Sequence, residues 1–163
     1  MDELLLKEGD AAPDFCAEGI DEEGKEKRFC LSDLLSSPLV LYFYPKDDTP
    51  GCTQEACDFR DNLSLLQGKG FKVAGVSPDS LQSHKRFKEK HGLNFILLSD
   101  PNKEIAKKYG AYGKKRMYGK ETDGIIRSTF LISKEGKILK AFYNVKAKGH
   151  VESLLKVIDN IKI

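Results

Sequence analysis

From Leu39 to the end of the chain, short apolar runs alternate with longer charged segments. Leu39-Val-Leu-Tyr-Phe-Tyr44 is continuously apolar and bounded by Pro38 and Pro45, the pattern of a strand covered on both faces. Residues 71–77 and 95–99 repeat it, each closed soon afterwards by a proline, Pro78 and Pro101. The charged segments between them, about 50–67, 80–91 and 102–109, have helical length, so the middle of the chain reads as strand and helix in alternation. Residues 127–133 and 137–143 form two further strands joined by Lys134-Glu135-Gly136, a hairpin in which Gly136 supplies the left-handed turn residue. Val151, Leu154, Leu155 and Ile158 follow the i, i+3, i+4, i+7 spacing of a helix with one apolar stripe. Ahead of Leu39, segments 14–20 and 27–31 flank an acidic, glycine-containing turn and predict a small accessory hairpin. The expected class is α/β, a mixed central sheet with helices on both faces and an N-terminal β-hairpin, in a single domain over residues 1–163.

With 163 residues, 40% hydrophobic and 32% charged, the chain is long enough for one sizeable core and unlike a disordered composition. Lys and Arg number 27 against 25 Asp and Glu, a net charge of +2, so no global field calls for nucleic acid or an anionic membrane. Asp2 and Glu3 are unlike the basic start of a signal peptide, and the longest apolar run is far short of the roughly 20 residues that cross a bilayer. A soluble, cytoplasmic protein is expected. Four cysteines are too sparse for a disulfide scaffold. They are either core filler or chemistry.

The most informative stretch is Pro45-Lys-Asp-Asp-Thr49-Pro50-Gly51-Cys52-Thr-Gln-Glu55-Ala-Cys57, which follows a buried strand and opens a helix. In sheets of this type reactive groups favour the carboxyl ends of strands. Thr49 suits the N-cap and Pro50 the first helical position, where its missing N–H costs nothing. Cys52 then falls in the first turn. Unpaired amides and the helix dipole at such a place stabilise an anion, lowering a thiol pKa from about 8.5 toward ~3.5–7.5. Cys52 is the best candidate nucleophile; the bland alternative is a buried thiol serving as a small hydrophobe. Cys57 is out of phase with it: in a continuous helix their Cα atoms lie about 8–9 Å apart, beyond the ~7 Å reach of a disulfide. Bonding them requires local unwinding, which suits a cycle in which Cys52 reacts first in the folded helix and Cys57 reaches it afterwards.

Pro45-x-x-x-Thr49-x-x-Cys52 resembles the active-site signature of peroxiredoxins, and residues 51–61, Gly-Cys-Thr-Gln-Glu-Ala-Cys-Asp-Phe-Arg-Asp, look like the peroxiredoxin Q, or bacterioferritin comigratory protein, branch. Ala12-Pro13-Asp14-Phe15, Val76-Ser77-Pro78-Asp79, Leu98-Ser99-Asp100 and Arg127-Ser128-Thr129-Phe130-Leu131-Ile132 extend the resemblance from about Gly9 to the end. It implies a thioredoxin-like fold and the reduction of hydrogen peroxide and alkyl hydroperoxides without a cofactor. By the same resemblance Cys52 is the peroxidatic cysteine, and Cys57 resolves its sulfenic acid to an intrachain disulfide that thioredoxin or a similar dithiol reduces. Thr49 is implied to bond the peroxide, Pro45 to shield the pocket, Arg127 to supply positive charge and Glu55 to orient that arginine. An intrachain resolving cysteine removes one reason for a dimer, so a monomer is expected. Read without the resemblance, Arg127 is equally an exposed charge at a strand edge.

Cys16 and Cys30 lie outside the motif and are expected as buried or half-buried thiols, with a second disulfide open to them only on paired strands. His84 and His91 share a helix face but stand ~10 Å apart, too far to chelate one ion, and are expected at the surface. The cysteines lack the close pairs of a zinc module. The segment 113–120 misses the phosphate-loop spacing, and its basic residues, with Lys107 and Lys108, are expected to form a solvated face. Two other functions stay open on the residues alone: a general thiol-disulfide oxidoreductase, which the missing C-x-x-C disfavours, and a binding or holdase module with unreactive thiols.

Overall fold

The computed structural model describes residues 5–117 and 119–161; the side chains of Lys115, Arg116, Met117, Lys120 and Glu121 are outside the described set. The side chains of Lys115, Arg116 and Lys120, half of the expected basic face, therefore lie outside the described set, as does the acidic N-terminus at Asp2 and Glu3, while Lys107, Lys108 and Lys114 are exposed as expected. The strands are β1 (Cys16–Ile20), β2 (Glu26–Cys30), β3 (Leu39–Phe43), β4 (Lys72–Ser77), β5 (Ile96–Ser99), β6 (Tyr112–Met117), β7 (Lys120–Ile125), β8 (Ser128–Ile132) and β9 (Ile138–Phe142). The helices are α1 (Leu31–Leu34), α2 (Pro50–Asp61), α3 (Leu63–Gly68), α4 (Leu81–His91), α5 (Glu104–Lys108) and α6 (His150–Asp159).

Seven strands form one mixed sheet in the order β2-β1-β5-β4-β3-β8-β9. β3, β4 and β5 are parallel, and β1 and β8 close this central group antiparallel on either side. Alternation along β3 divides the core. Leu39, Leu41 and Phe43 point into one cluster with Ile96, Leu98, Tyr109 and Phe130. Val40, Tyr42 and Tyr44 point into the other, with Phe59 of α2, Leu66 of α3, Phe87 of α4 and Leu154 of α6. A strand buried on both faces needs apolar residues at every position, which is why Leu39 to Tyr44 reads as an unbroken run.

Helix ends follow local chemistry. The Ser80 hydroxyl accepts from the Ser83 amide at 3.1 Å to start α4, and Gly92, at φ 61°, ends it. Gly136, at φ 84°, turns the β8–β9 hairpin as its sequence predicts. The expected helix over 50–67 is instead two helices: Asn62 leaves helical geometry at φ −110°, ψ 9°, and α3 starts at once beyond it. The N-terminal hairpin is no accessory, because β1 pairs with β5 and carries β2 onto the edge of the main sheet. The β6–β7 hairpin was not expected; Gly113 and Lys114 interrupt any apolar alternation, and its two strands pair only with each other.

One expectation is overturned on this edge. Cys16 and Cys30 are not free thiols but a disulfide, because the β1–β2 register sets them directly opposite each other. Closing a loop of this length stabilises a fold by roughly 3 kcal/mol. Cys16→Ser/Cys30→Ser is expected to lower the urea unfolding free energy by about that amount; a midpoint unmoved from wild type would show that the bond stabilises nothing.

A second packing constraint lies at the β3–β4 pair, where Gly75 stands opposite Tyr42. A Cβ at Gly75 would meet the Tyr42 ring at 2.8 Å, and that buried ring is already stacked on Phe59, with centroids 4.5 Å apart, and on Tyr44. Gly75→Ala is expected to cost about 1–3 kcal/mol by equilibrium unfolding, whereas Gly68→Ala, facing open space, does not overpack the fold.

Candidate functional site

The carboxyl end of β3 leads through loop 45–49 into α2, and the even-numbered face of β3 faces that helix. Pro45 is half-buried at the start of the loop. Thr49 is the N-cap of α2, with extended backbone at φ −93°, ψ 156°, and its carbonyl accepts from the Thr53 amide at 2.8 Å. Its hydroxyl does not cap the helix as its residue type predicts, but donates to the Lys46 carbonyl at 2.9 Å. The first-turn amides of Gly51 and Cys52 have no intrahelical carbonyl to donate to and stand at the positive end of the helix dipole.

Cys52 is a free thiol, 1% exposed, in this first turn. Glu55 lies one turn along on the same side of α2 and is fully buried. Arg127 reaches both from the residue preceding β8: Nη2 donates to the Cys52 sulfur at 3.3 Å and Nη1 to Glu55 Oε1 at 2.6 Å. Strand periodicity puts Arg127 on the same face of β8 as Thr129 and Leu131, the face turned to α2 and α6. Arg127 is therefore no exposed edge charge; its side chain is 16% exposed. Burial opposes its charge, but the neighbouring Glu55 and Cys52 more than offset that and hold the guanidinium charged.

Gly51, which sequence reasoning passed over, makes this approach feasible, since a Cβ there would sit 3.2 Å from Arg127 Nη2. The glycine beside the cysteine was the available signal. His150, at the first position of α6, was also missed. Its Nε2 is 2.7 Å from the Thr129 hydroxyl, and burial, with Arg127 adding to it, pushes its pKa down to about 4, so it faces the site as a neutral ring. Cys57 is free and half-buried on the same unbroken helix as Cys52, five residues along. Among the described residues no group of His, Cys, Asp and Glu is arranged to hold a metal ion, and no helix is long and apolar enough to cross a membrane.

Glu55 Oε2 and the Tyr42 hydroxyl are buried with no hydrogen-bond partner among the described residues. Burial raises the Glu55 pKa to about 7 against the opposing pull of Arg127. A carboxyl raised in the folded state keeps its proton while the unfolded chain loses its own. Its contribution to stability is therefore complete below about pH 4.5 and lost as the pH rises through about 7. Unfolding free energies of wild type and Glu55→Gln, compared by urea titration at about pH 5 and about pH 8, are expected to diverge by on the order of 2–3 kcal/mol, with wild type losing the more at high pH. Parallel behaviour of the two proteins would place the Glu55 carboxyl at its ordinary acidity.

The sequence model of the AhpC/TSA family matches residues 8–141. A peroxiredoxin bcp of Helicobacter pylori is 52% identical over 151 residues, covering 93% of this chain and 97% of the relative. The structure of a Xylella fastidiosa PrxQ mutant superposes with a TM-score of 0.84 at 35% identity, over 94% of this chain and 96% of that one. A Xanthomonas campestris bacterioferritin comigratory protein, whose structures address its alkyl peroxide reduction activity, gives a TM-score of 0.77 at 39% identity over 87% of this chain and 89% of that one. At these identities the sheet order and its flanking helices are the thioredoxin-like arrangement that the sequence resemblance implies.

Proposed function

Because this chain belongs to the AhpC/TSA family, and within it to the bacterioferritin comigratory protein (peroxiredoxin Q) peroxiredoxins, we propose that it reduces hydrogen peroxide and alkyl hydroperoxides with Cys52 as the peroxidatic cysteine. The observation that carries the assignment is the Arg127 guanidinium bonded to the Cys52 sulfur at 3.3 Å in the first turn of α2. The thiolate attacks one peroxide oxygen, the O–O bond breaks, and the departing oxygen leaves as water or an alcohol after taking up a proton. Sulfur loses two electrons and becomes a sulfenic acid. Developing charge on the departing oxygen falls within reach of first-turn amides and a fixed guanidinium, which need no reorganisation to stabilise it. Thr49 contributes a hydroxyl whose lone pairs stay open to a peroxide hydrogen while its own hydrogen is held by Lys46. Pro45 keeps water from the site, and Glu55 orients Arg127 through the 2.6 Å bond.

Cys57 is assigned the resolving role. Its thiol sulfur attacks the sulfenic sulfur, a disulfide forms and water leaves. The unbroken α2 keeps the two cysteines apart until the first turns of the helix unwind, so resolution waits on a local opening. Thioredoxin or a similar dithiol then reduces the Cys52–Cys57 bond, as in a reducing compartment such as the cytoplasm, and because both sulfurs belong to one helix the chain works as a monomer. The Cys16–Cys30 bond occupies the far edge of the sheet at β1–β2 and is the weaker candidate for the working pair, because no cation donates to either of its sulfurs among the described residues.

Trypsin leaves peptide 47–60 intact, since no Lys or Arg lies between Lys46 and Arg60. One equivalent of hydrogen peroxide is expected to lower its mass by two hydrogens in the wild type, and Cys57→Ser to leave a dimedone-reactive sulfenic acid at Cys52. Peroxide consumption at the wild-type rate by Cys52→Ser would refute the assignment.

A further inference from the structure

His84 is expected at the surface, as lone histidines usually are, but the structure buries it completely, with both ring nitrogens engaged. Nδ1 is 2.6 Å from Asp47 Oδ2, and Nε2 is 2.9 Å from the Leu98 carbonyl of β5. The carbonyl accepts only, so Nε2 carries a hydrogen. A neutral imidazole has just one N–H, so a further proton must lie on the Nδ1···Oδ2 bond. Without it two lone pairs would face each other. His84 is thus a strut between the end of β5 and Asp47, and Asp47 belongs to the loop that carries Pro45 and Thr49.

Asp47 is held from every side. Its Oδ1 accepts from the Tyr44 hydroxyl at 2.6 Å, its Oδ2 also accepts from the Ser83 hydroxyl at 2.8 Å, and its amide donates to Asp79 Oδ2 at 2.7 Å. Asp79 is fixed in turn, accepting from the Ser77 hydroxyl at 2.8 Å through Oδ2 and from the Ser99 hydroxyl at 2.6 Å through its carbonyl. This clamping coincides with a backbone that needs it: Asp48, between Asp47 and Thr49, sits at φ 60°, a left-handed conformation that few residues with a side chain adopt. Asp48 has exposed ties of its own, to Lys90 Nζ at 2.7 Å and His91 Nε2 at 3.0 Å, so Asp47 is the buried anchor of the loop, and its release would let the loop shift at Asp47 and carry Thr49 with it.

Resting on the peroxidase reading above, we propose that His84 is a positioning residue of the peroxide reaction: through Asp47 it fixes loop 45–49 and with it the place of Thr49 ahead of Cys52. His84 and Asp47 bond no residue of the Cys52, Glu55 and Arg127 cluster, so this role separates from that of the guanidinium. Arg127 and the helix terminus govern how readily Cys52 attacks any electrophile. The loop governs how a peroxide is held.

Two rates distinguish these effects. In His84→Asn the second-order rate with hydrogen peroxide is expected to fall roughly tenfold or more, while alkylation of Cys52 by iodoacetamide stays within about twofold of wild type. Asp47→Asn should behave alike, and the double variant should be little worse than the more damaging single one, because the two residues act as a unit. Ser83→Ala removes one bond to Asp47 at a partly exposed position and is expected to lower the peroxide rate by about threefold; it decides the matter should His84→Asn fail to fold. Wild-type peroxide rates in the folded variants, or an alkylation rate that falls in step with the peroxide rate, overturn the proposal. A wild-type chain inert to peroxide removes the peroxidase reading and this inference together, whereas an active wild type with an unimpaired His84→Asn removes the inference alone.

Discussion

The guanidinium of Arg127, bonded at once to the Glu55 carboxylate and the Cys52 sulfur, is the contact on which the site depends. It joins β8 to residues more than seventy positions earlier in the chain, so it forms only after the sheet has brought β8 beside β3. Breaking it would leave a buried carboxyl facing a buried sulfur with no cation between them, and uncompensated charge in such a place is costly. That explains features around it which look unrelated. Gly51 lacks a side chain because one would crowd the guanidinium, and His150 is held neutral partly because Arg127 is near. Glu55 is poised near neutrality because burial and the arginine oppose each other.

Much of the scaffold beneath this contact was legible in the order of apolar and polar residues. β3 announces itself because burial on both faces leaves no polar position, and α6 because one stripe alone is buried. The β6–β7 hairpin was not legible for the converse reason: it pairs with no strand of the main sheet and reaches the core through Tyr112 and Ile125 at its base, so burial imposes little pattern along its length. The break at Asn62 was hidden because α2 and α3 are both amphipathic and a break without proline or glycine leaves no mark in composition.

The site divides in the same way. Thr49, Pro50 and Cys52 could be read from the sequence because their relation is local, set by the geometry of one helix start. Arg127 could be placed at a strand from its neighbours, but beside Cys52 only through the family resemblance, since that adjacency is a property of the sheet order. His84 was misjudged because two helix turns of separation from His91 say nothing about what faces either ring. Only the parallel neighbour β5, supplying the Leu98 carbonyl, and the loop, supplying Asp47, make His84 an interior group. Cys16 and Cys30 show the same limit, their pairing being decided by a hairpin register that composition does not reveal.

α2 has to satisfy two opposed demands in the proposed cycle. It must be firm enough to present Cys52 to Arg127, and weak enough to open when Cys57 has to reach the same sulfur. Its composition supplies the weakness: Gly51, Cys52, Thr53, Cys57 and Asp58 are poor helix formers, and twelve residues are too few for a helix to persist unaided in water. Firmness comes from outside, through Ala56 and Phe59 in the core and through Arg127 gripping Cys52 and Glu55. The two sources act at different ends of the reaction. Core contacts at Ala56 and Phe59 are indifferent to the state of the sulfur, whereas the arginine's hold on the first turn is strongest while that sulfur carries charge. In that cycle, converting thiolate to sulfenic acid would remove the charge and weaken the arginine's hold at Cys52, where the helix has to open, while its bond to Glu55 stays in place.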